Sequence, residues 1–277
     1  VVAALLALGA SIAWGLGDYA GGVKSRVLPA LTVMAASQPF GLAGLAILVA
    51  VRGSGPPGDE VAWAALSALL GTIGLAAFYR GMAVGAISVI APIAAASAII
   101  PVAWGVASGE SLSATQAVGI AAALAGGIGA SVERRPEGAQ LAAGVGWALL
   151  AMLCFGAYFV PMHAAATHDW LWPAFLFRCT SVSLVWSFAL ARRALPRSVG
   201  AHLLALVAIG VLDTGGNALF AAASARHGLL SVVSVLGSLY PVVTVLLARL
   251  LLGERVQRTQ DVGVLVALAG VVLVTAG

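Results

Sequence analysis

The stretch GERVQRTQDVGVLVALAG at 253–270 decides how the chain is read, because a second version of it, GESLSATQAVGIAAALAG, stands at 109–126. At a shift of 144, ten of the eighteen positions agree. Most of the matches are Gly, Ala, Leu and Val, which an apolar chain repeats by chance. Glu110 with Glu254, Thr115 with Thr259 and Gln116 with Gln260 are not of that kind. Fainter echoes lie upstream at nearly the same spacing: Gly85-Ala-Ile-Ser88-Val answers Gly228-Leu-Leu-Ser231-Val, and Trp14-Gly15 answers Phe155-Gly156. The chain reads as one unit written twice.

Composition names the solvent. Of 277 residues, 61% are apolar and 9% charged, against roughly 25% charged in a soluble domain. So few charges cannot cover a water-facing surface, and the chain is read as an integral membrane protein in a lipid bilayer. Lys and Arg (14) outnumber Asp and Glu (10), but Lys24 is the single lysine. That argues against a nucleic-acid partner, which needs a basic patch, and fits the basic loops that orient membrane proteins. Cys154 and Cys179 fall inside apolar runs and read as small core residues. No Gly-Lys-Ser/Thr phosphate loop and no His-Glu-x-x-His pattern occurs, so neither ATP nor zinc is expected, and no cofactor. The first run leads straight into Trp14-Gly-Leu-Gly-Asp18 and reads as a retained span rather than a leader.

Apolar runs of span length fall at 1–20, 31–51, 61–82, 86–107, 115–132, 142–163, 172–191, 200–223, 229–252 and 259–276. Each matches the 17–25 residues that a helix needs to cross a bilayer. The expected fold is therefore all-α, with ten transmembrane helices. Ser113-Ala-Thr-Gln116 forms a capping-box pattern before the fifth crossing. The polar segment 133–138 divides the chain into five-helix halves, 1–135 and 139–277. Five is odd, so the second copy starts from the opposite side of the membrane: an inverted repeat. Such repeats place a substrate site near the midplane, where the halves rock against each other. Connections after odd-numbered crossings, with their helix ends, carry Lys24, Arg26, Arg80, Arg134, Arg135, Arg192, Arg193, Arg197, Arg249, Arg255 and Arg258, against Arg52 and Arg226 on the other side. The positive-inside rule then puts the odd connections in the cytoplasm and both termini outside.

Two copies of five crossings, Trp14-Gly15 late in the first, and Gly-Glu before the fifth and tenth together resemble the EamA-type transporters of the drug/metabolite transporter superfamily. The resemblance covers the whole chain. It implies a ten-span carrier of the bacterial inner membrane, with a central cavity lined mainly by crossings one, three, four, six, eight and nine. It also implies termini in the cytoplasm, and substrates among amino acids or related metabolites, as in the YddG-type exporters. The chain departs from the pattern in its second crossing, which offers Ser37-Gln38-Pro39 where an Arg is common; the seventh keeps Arg178.

Ionisable groups within apolar runs cost about 2.5–3.5 kcal/mol each on insertion scales, so each needs a reason. Asp213 and Asn217 lie one turn apart on one face of the eighth crossing. Asp213 either meets a substrate amine or a coupling proton, or is a structural carboxylate neutralised by Arg178. Arg178 reads as structural, and Asp18 as a residue of the cavity mouth. Trp14, Tyr79, Tyr158 and Tyr240 can give an amphipathic solute an apolar wall with a polar tip, or simply pack. Ser97 and Ser234 are candidates for substrate contact, although serines in such helices also serve close packing. Pro92 and Pro101 interrupt the fourth crossing and are candidate gating positions. Glu110 and Glu254 read as loop and helix-end hydrogen-bond partners.

The leading function is a secondary transporter, an amino-acid exporter working by alternating access, with protons as possible coupling ions. Its partners are a small-molecule substrate and the lipid; the oligomeric state is left open. Two other classes compete. Gly15-Leu-Gly-Asp18 spells the Gly-x-Gly-Asp pattern of intramembrane aspartyl enzymes, which need a second carboxylate beside the first. A channel or a non-transporting membrane partner is the third class.

Overall fold

The computed structural model describes residues 1–53, 55, 58, 60–85, 87–131, 144–194, 199–252 and 258–276. Glu254, Arg134, Arg135, Arg197, Arg255 and the dividing segment 133–138 lie outside them, as do the side chains of Pro92, Thr259, Arg249 and Arg258 within their helices. The described residues form twelve α-helices and no strand: α1 (Val2–Ser25), α2 (Ala30–Arg52), α3 (Glu60–Val84), α4 (Ile87–Ala95), α5 (Ile99–Ala107), α6 (Ala114–Ser131), α7 (Val145–Ala165), α8 (Leu171–Ala191), α9 (Leu203–Ala225), α10 (Leu230–Gly237), α11 (Tyr240–Leu252) and α12 (Arg258–Ala276). In lipid a spanning backbone must satisfy its own hydrogen bonds, and helices do so within one segment.

Of the ten crossings expected, six match helices long and apolar enough to cross a membrane: α1, α2, α3, α7, α8 and α9. The other four correspond to the shorter apolar stretches Ile93–Ala107, Ala114–Gly126, Leu230–Thr244 and Asp261–Val274. Two of these are shortened because a helix is broken. A 3-10 turn at Ala96–Ala98 separates α4 from α5, and the chain breaks at Ser238 and Leu239 between α10 and α11. Each break is followed by a proline, Pro101 or Pro241, whose missing N–H leaves a carbonyl one turn back without its helical partner. Large apolar side chains such as Leu5, Ile12, Ile47, Trp104, Leu204 and Leu265 face outward, while Ala and Ser fill much of the interior. That distribution suits a lipid solvent and close helix packing.

The duplicated stretch meets itself. A Cβ on Gly126 would come within 2.7 Å of the Gly263 carbonyl, and one on Gly119 within 2.9 Å of the Gly270 carbonyl. Gly119 corresponds in the repeat to Gly263, and Gly126 to Gly270. The contacts are therefore crossed, and α6 runs antiparallel to α12 with backbones touching at glycines two turns apart. A second crossed pair positions the breaks. Gly15 of α1 sits under the Tyr240 carbonyl, where a Cβ would lie 2.8 Å away, and Gly156 of α7 sits under the Ser97 carbonyl at 2.5 Å.

Caps fix the ends. Ser113 and Gln116 form the reciprocal capping box expected from the sequence, both bonds at 3.0 Å. Glu110, in the turn after α5, reaches across to the start of α10. It accepts from the backbone N–H groups of Leu230 (2.5 Å) and Ser231 (3.0 Å) and from the Ser231 hydroxyl (2.5 Å). Its helix-end role is therefore observed.

Asp169, in the α7–α8 turn, accepts from the Leu171 amide at 3.1 Å and pairs with Arg52 at 2.6 Å. Partial burial pushes its carboxyl up, but the Arg52 bond and the amides of Leu171 and Trp172 pull it further down, below the usual carboxylate range. A lowered folded value means stability that is present above the unfolded value of about 3.9 and lost as pH falls through the folded one. Arg52 is 44% exposed, so the charge contributes at most about 1 kcal/mol. Asp169→Asn is expected to lower thermal stability slightly at neutral pH, with the difference from wild type shrinking below about pH 4; melting curves over a pH series check this.

Candidate functional site

Residues of α1, α2, α3, α7, α8 and α9, with Tyr240 at the start of α11, line a cavity of about 50 Å³. That is well under the 300–1,000 Å³ of an occupied ligand pocket. Arg178 of α8 is 1% exposed, and its Nη2 donates to Asp213 Oδ2 of α9 at 2.7 Å. The neutralising pair that the sequence left open is present. Arg178 Nε and Nη1 are buried with no partner among the described residues. Arginine has five N–H donors and cannot shed its charge, so part of the guanidinium is left without an acceptor.

The remaining polar groups form two short chains. Thr72 donates to the Ser181 hydroxyl at 2.9 Å, which donates to Gln38 Oε1 at 3.0 Å, leaving the amide nitrogen of Gln38 without a partner. Tyr158 donates to Asn217 Oδ1 at 2.6 Å, and Asn217 returns its amide to the Asp213 carbonyl at 2.8 Å. Asp18 of α1 also lines the cavity, 6% exposed, as does Asp213. The walls are aromatic. Tyr158 stands edge-on to Trp14 (6.3 Å between ring centres) and to Phe177 (5.6 Å), and Phe155 to Tyr240 (6.2 Å).

Among the candidates read from the sequence, Trp14, Tyr158, Asp213, Asn217 and Tyr240 line this cavity. Tyr79, Ser97 and Ser234 are fully buried but stand outside the lining. The Tyr79 hydroxyl is pressed against Gly21, one turn beyond Asp18, so it seals α3 to α1 instead of reaching the chamber. Ser97 lies in the break between α4 and α5, and Ser234 inside α10. Pro101 is buried in α5. Asp18, placed at the mouth from the sequence, lies instead in the chamber wall: Trp14 and Asp18 are one helical turn apart and share a face, a periodicity that could have located it. Arg178, read as structural, also belongs to the lining, as do Gln38, Ser181 and Thr72. The spacing Arg178-x-x-Ser181 carries the same signal.

A multi-pass helical membrane protein with its polar groups gathered in one buried chamber is what a carrier of small solutes requires. Residues 142–276 match the sequence model of the EamA-like transporter family. The resemblance to that family is thus borne out over residues 142–276. No curated protein matches the chain. A solved crystal structure shares the fold with a TM-score of 0.77, over 99% of this chain and 96% of its own, at 18% identity.

Proposed function

We propose that the protein is a secondary transporter that exports small zwitterionic metabolites, amino acids foremost, across the bacterial inner membrane by alternating access at this cavity. The observation that carries the reading is Arg178 in the cavity lining with two nitrogens lacking a hydrogen-bond partner among the described residues. A buried guanidinium with two unpartnered nitrogens suits a carboxylate, which it can grip in a fork. Asp18 and Asp213 in the same lining offer carboxylate oxygens to an ammonium group, and the aromatic walls suit an apolar side chain.

Alternating access draws support from the packing. The contacts α1 with α9 and α3 with α7 are one contact with the halves exchanged, and so are α2 with α9 and α3 with α8. The crossed glycine pairs fit two halves, 1–135 and 139–277, related by inversion across ten crossings. An aspartyl enzyme would need Asp18 and Asp213 as its dyad, but Asp213 is held by Arg178 at 2.7 Å and cannot share a proton with a second carboxylate as a catalytic dyad must.

Counterflow in proteoliposomes tests the reading. L-Phenylalanine, L-leucine and L-threonine serve as zwitterions, beside phenethylamine, which lacks the carboxylate, and 3-phenylpropionate, which lacks the amine. Saturable exchange of at least one amino acid, with neither truncated compound exchanging, is expected. Exchange by none of the five refutes transport of this class.

A further inference from the structure

We propose that the groove between α3 and α8 is a binding site for one anionic phospholipid, its phosphate held by Arg80 and Arg192 and an acyl chain laid along the apolar walls; this stands independently of the transporter reading. The groove measures about 510 Å³ and draws on the first turns of α2 and α7 and the later turns of α3 and α8. It therefore lies toward one end of the bundle. Its walls are apolar, with Met34, Ile73, Trp147, Leu184 and Phe188 among them, and no Asp or Glu lines it. Trp147 (45%) and Phe188 (51%) are exposed, and a tryptophan so placed suits the level of the lipid headgroups. Arg80 lines the groove and is itself exposed. Arg192, one turn beyond Phe188, holds its guanidinium 5.1 Å from the centre of the Phe188 ring.

Two cations at the mouth of an apolar groove call for an anion. Arg80 and Arg192 pair with no carboxylate among the described residues, where Arg52 pairs with Asp169 and Arg178 with Asp213. A second groove, of about 690 Å³ between α2 and α9, supplies the contrast. Leu48 and Trp170 line it, and Arg52 stands one turn beyond Leu48 as Arg192 stands beyond Phe188. There the chain provides its own anion: Asp169, next to Trp170, accepts from Arg52 at 2.6 Å, which leaves Arg226 as the one cation of that lining. The turn Arg26-Val-Leu-Pro29, which leads into the lining residues Ala30 and Leu31 of the first groove, has no acid to offer. The anion must come from outside the chain. A phosphate diester suits arginine, which bonds it through a planar fork, and basic pockets between membrane helices take anionic headgroups. Both arginines belong to the side that the charge count assigns to the cytoplasm, where such lipids attract basic residues. The long apolar walls select a lipid over a free phosphate. Thr72 belongs to the linings of both this groove and the central cavity, so a bound acyl chain backs the cavity wall.

Tryptophan quenching tests this on the full chain in phosphatidylcholine nanodiscs that hold a minor fraction of lipid brominated on its acyl chains. The Trp147 signal is the difference between wild type and Trp147→Phe. Brominated phosphatidylglycerol is expected to quench it about tenfold more effectively, mole for mole, than brominated phosphatidylcholine. Arg80→Gln and Arg192→Gln should each weaken that preference about fivefold, and the double variant should remove it. Arg80→Lys/Arg192→Lys keeps both charges and should keep most of the preference, which shows that charge and not folding was changed. Arg226→Gln, in the other groove, should leave the Trp147 signal as it is. Equal quenching by the two lipids in wild type, or a preference that survives the loss of both arginines, overturns the site. So does a preference lost as readily in Arg226→Gln, the mark of a general attraction between a basic surface and anionic lipid.

Discussion

Replacing Arg178 with methionine is expected to abolish amino-acid counterflow and to lower stability by about 3–5 kcal/mol. Both effects have one cause: Asp213 loses the guanidinium bonded to it at 2.7 Å and is left charged and buried. Stability and binding can be separated. In Arg178→Met/Asp213→Leu both charges are gone, and a buried pair exchanged for apolar groups of similar volume is often neutral. The double variant is therefore expected to regain thermal stability yet stay inactive, because no donor remains for the substrate carboxylate. Arg178→Lys keeps the charge but not the planar fork, and its apparent affinity is expected to fall at least about tenfold, the effect of losing one charge-assisted hydrogen bond of about 1.5–3 kcal/mol. A double variant that is both stable and active would remove Arg178 from the binding site.

Gly126→Leu should damage the protein as severely by a different route. The added Cβ would press on the backbone of Ala267 and the Gly263 carbonyl. Backbone cannot turn aside as a side chain can. Overpacking of this kind costs about 1–3 kcal/mol, and here it pushes two whole helices apart. Gly44, whose Cβ would meet nothing within 4 Å, is the control; Gly44→Leu is expected to behave as wild type. Yield of monodisperse protein on size exclusion and its melting temperature are the readouts, with Gly126→Ala between the extremes.

The architecture is legible in the sequence wherever one rule suffices. Composition and run length give a helical membrane protein, Ser113 and Gln116 give their capping box, and the duplicated Gly-Glu stretch leads to the family. The site is harder, because it depends on which faces of separate helices meet. Asp213, Asn217, Tyr158 and Tyr240 stand out as polar or amphipathic groups in apolar runs, and the chamber gathers them. Tyr79 stands out equally and is pressed against α1 instead, a difference decided by Gly21, a residue that looks ordinary in a chain with 34 glycines. Asp18 is misplaced because nearness to a run's end suggests the interface. Helix α1 continues past the apolar run 1–20 to Ser25, so the Asp18 side chain lies deeper than the hydropathy implies. Pro101 and Pro241 signal interruption, but whether a helix bends or breaks there depends on the glycine packed beneath.

The carboxylate that crosses from the α5–α6 turn to the first residues of α10 has a mechanical corollary. Three bonds, at 2.5, 3.0 and 2.5 Å, fasten the free end of a half-length helix to the opposite half of the chain. That end cannot swing alone; any displacement must drag the turn along or tear all three bonds together. Any rocking of the halves would thus hinge at this joint, where the start of α10 and the α5–α6 turn move together.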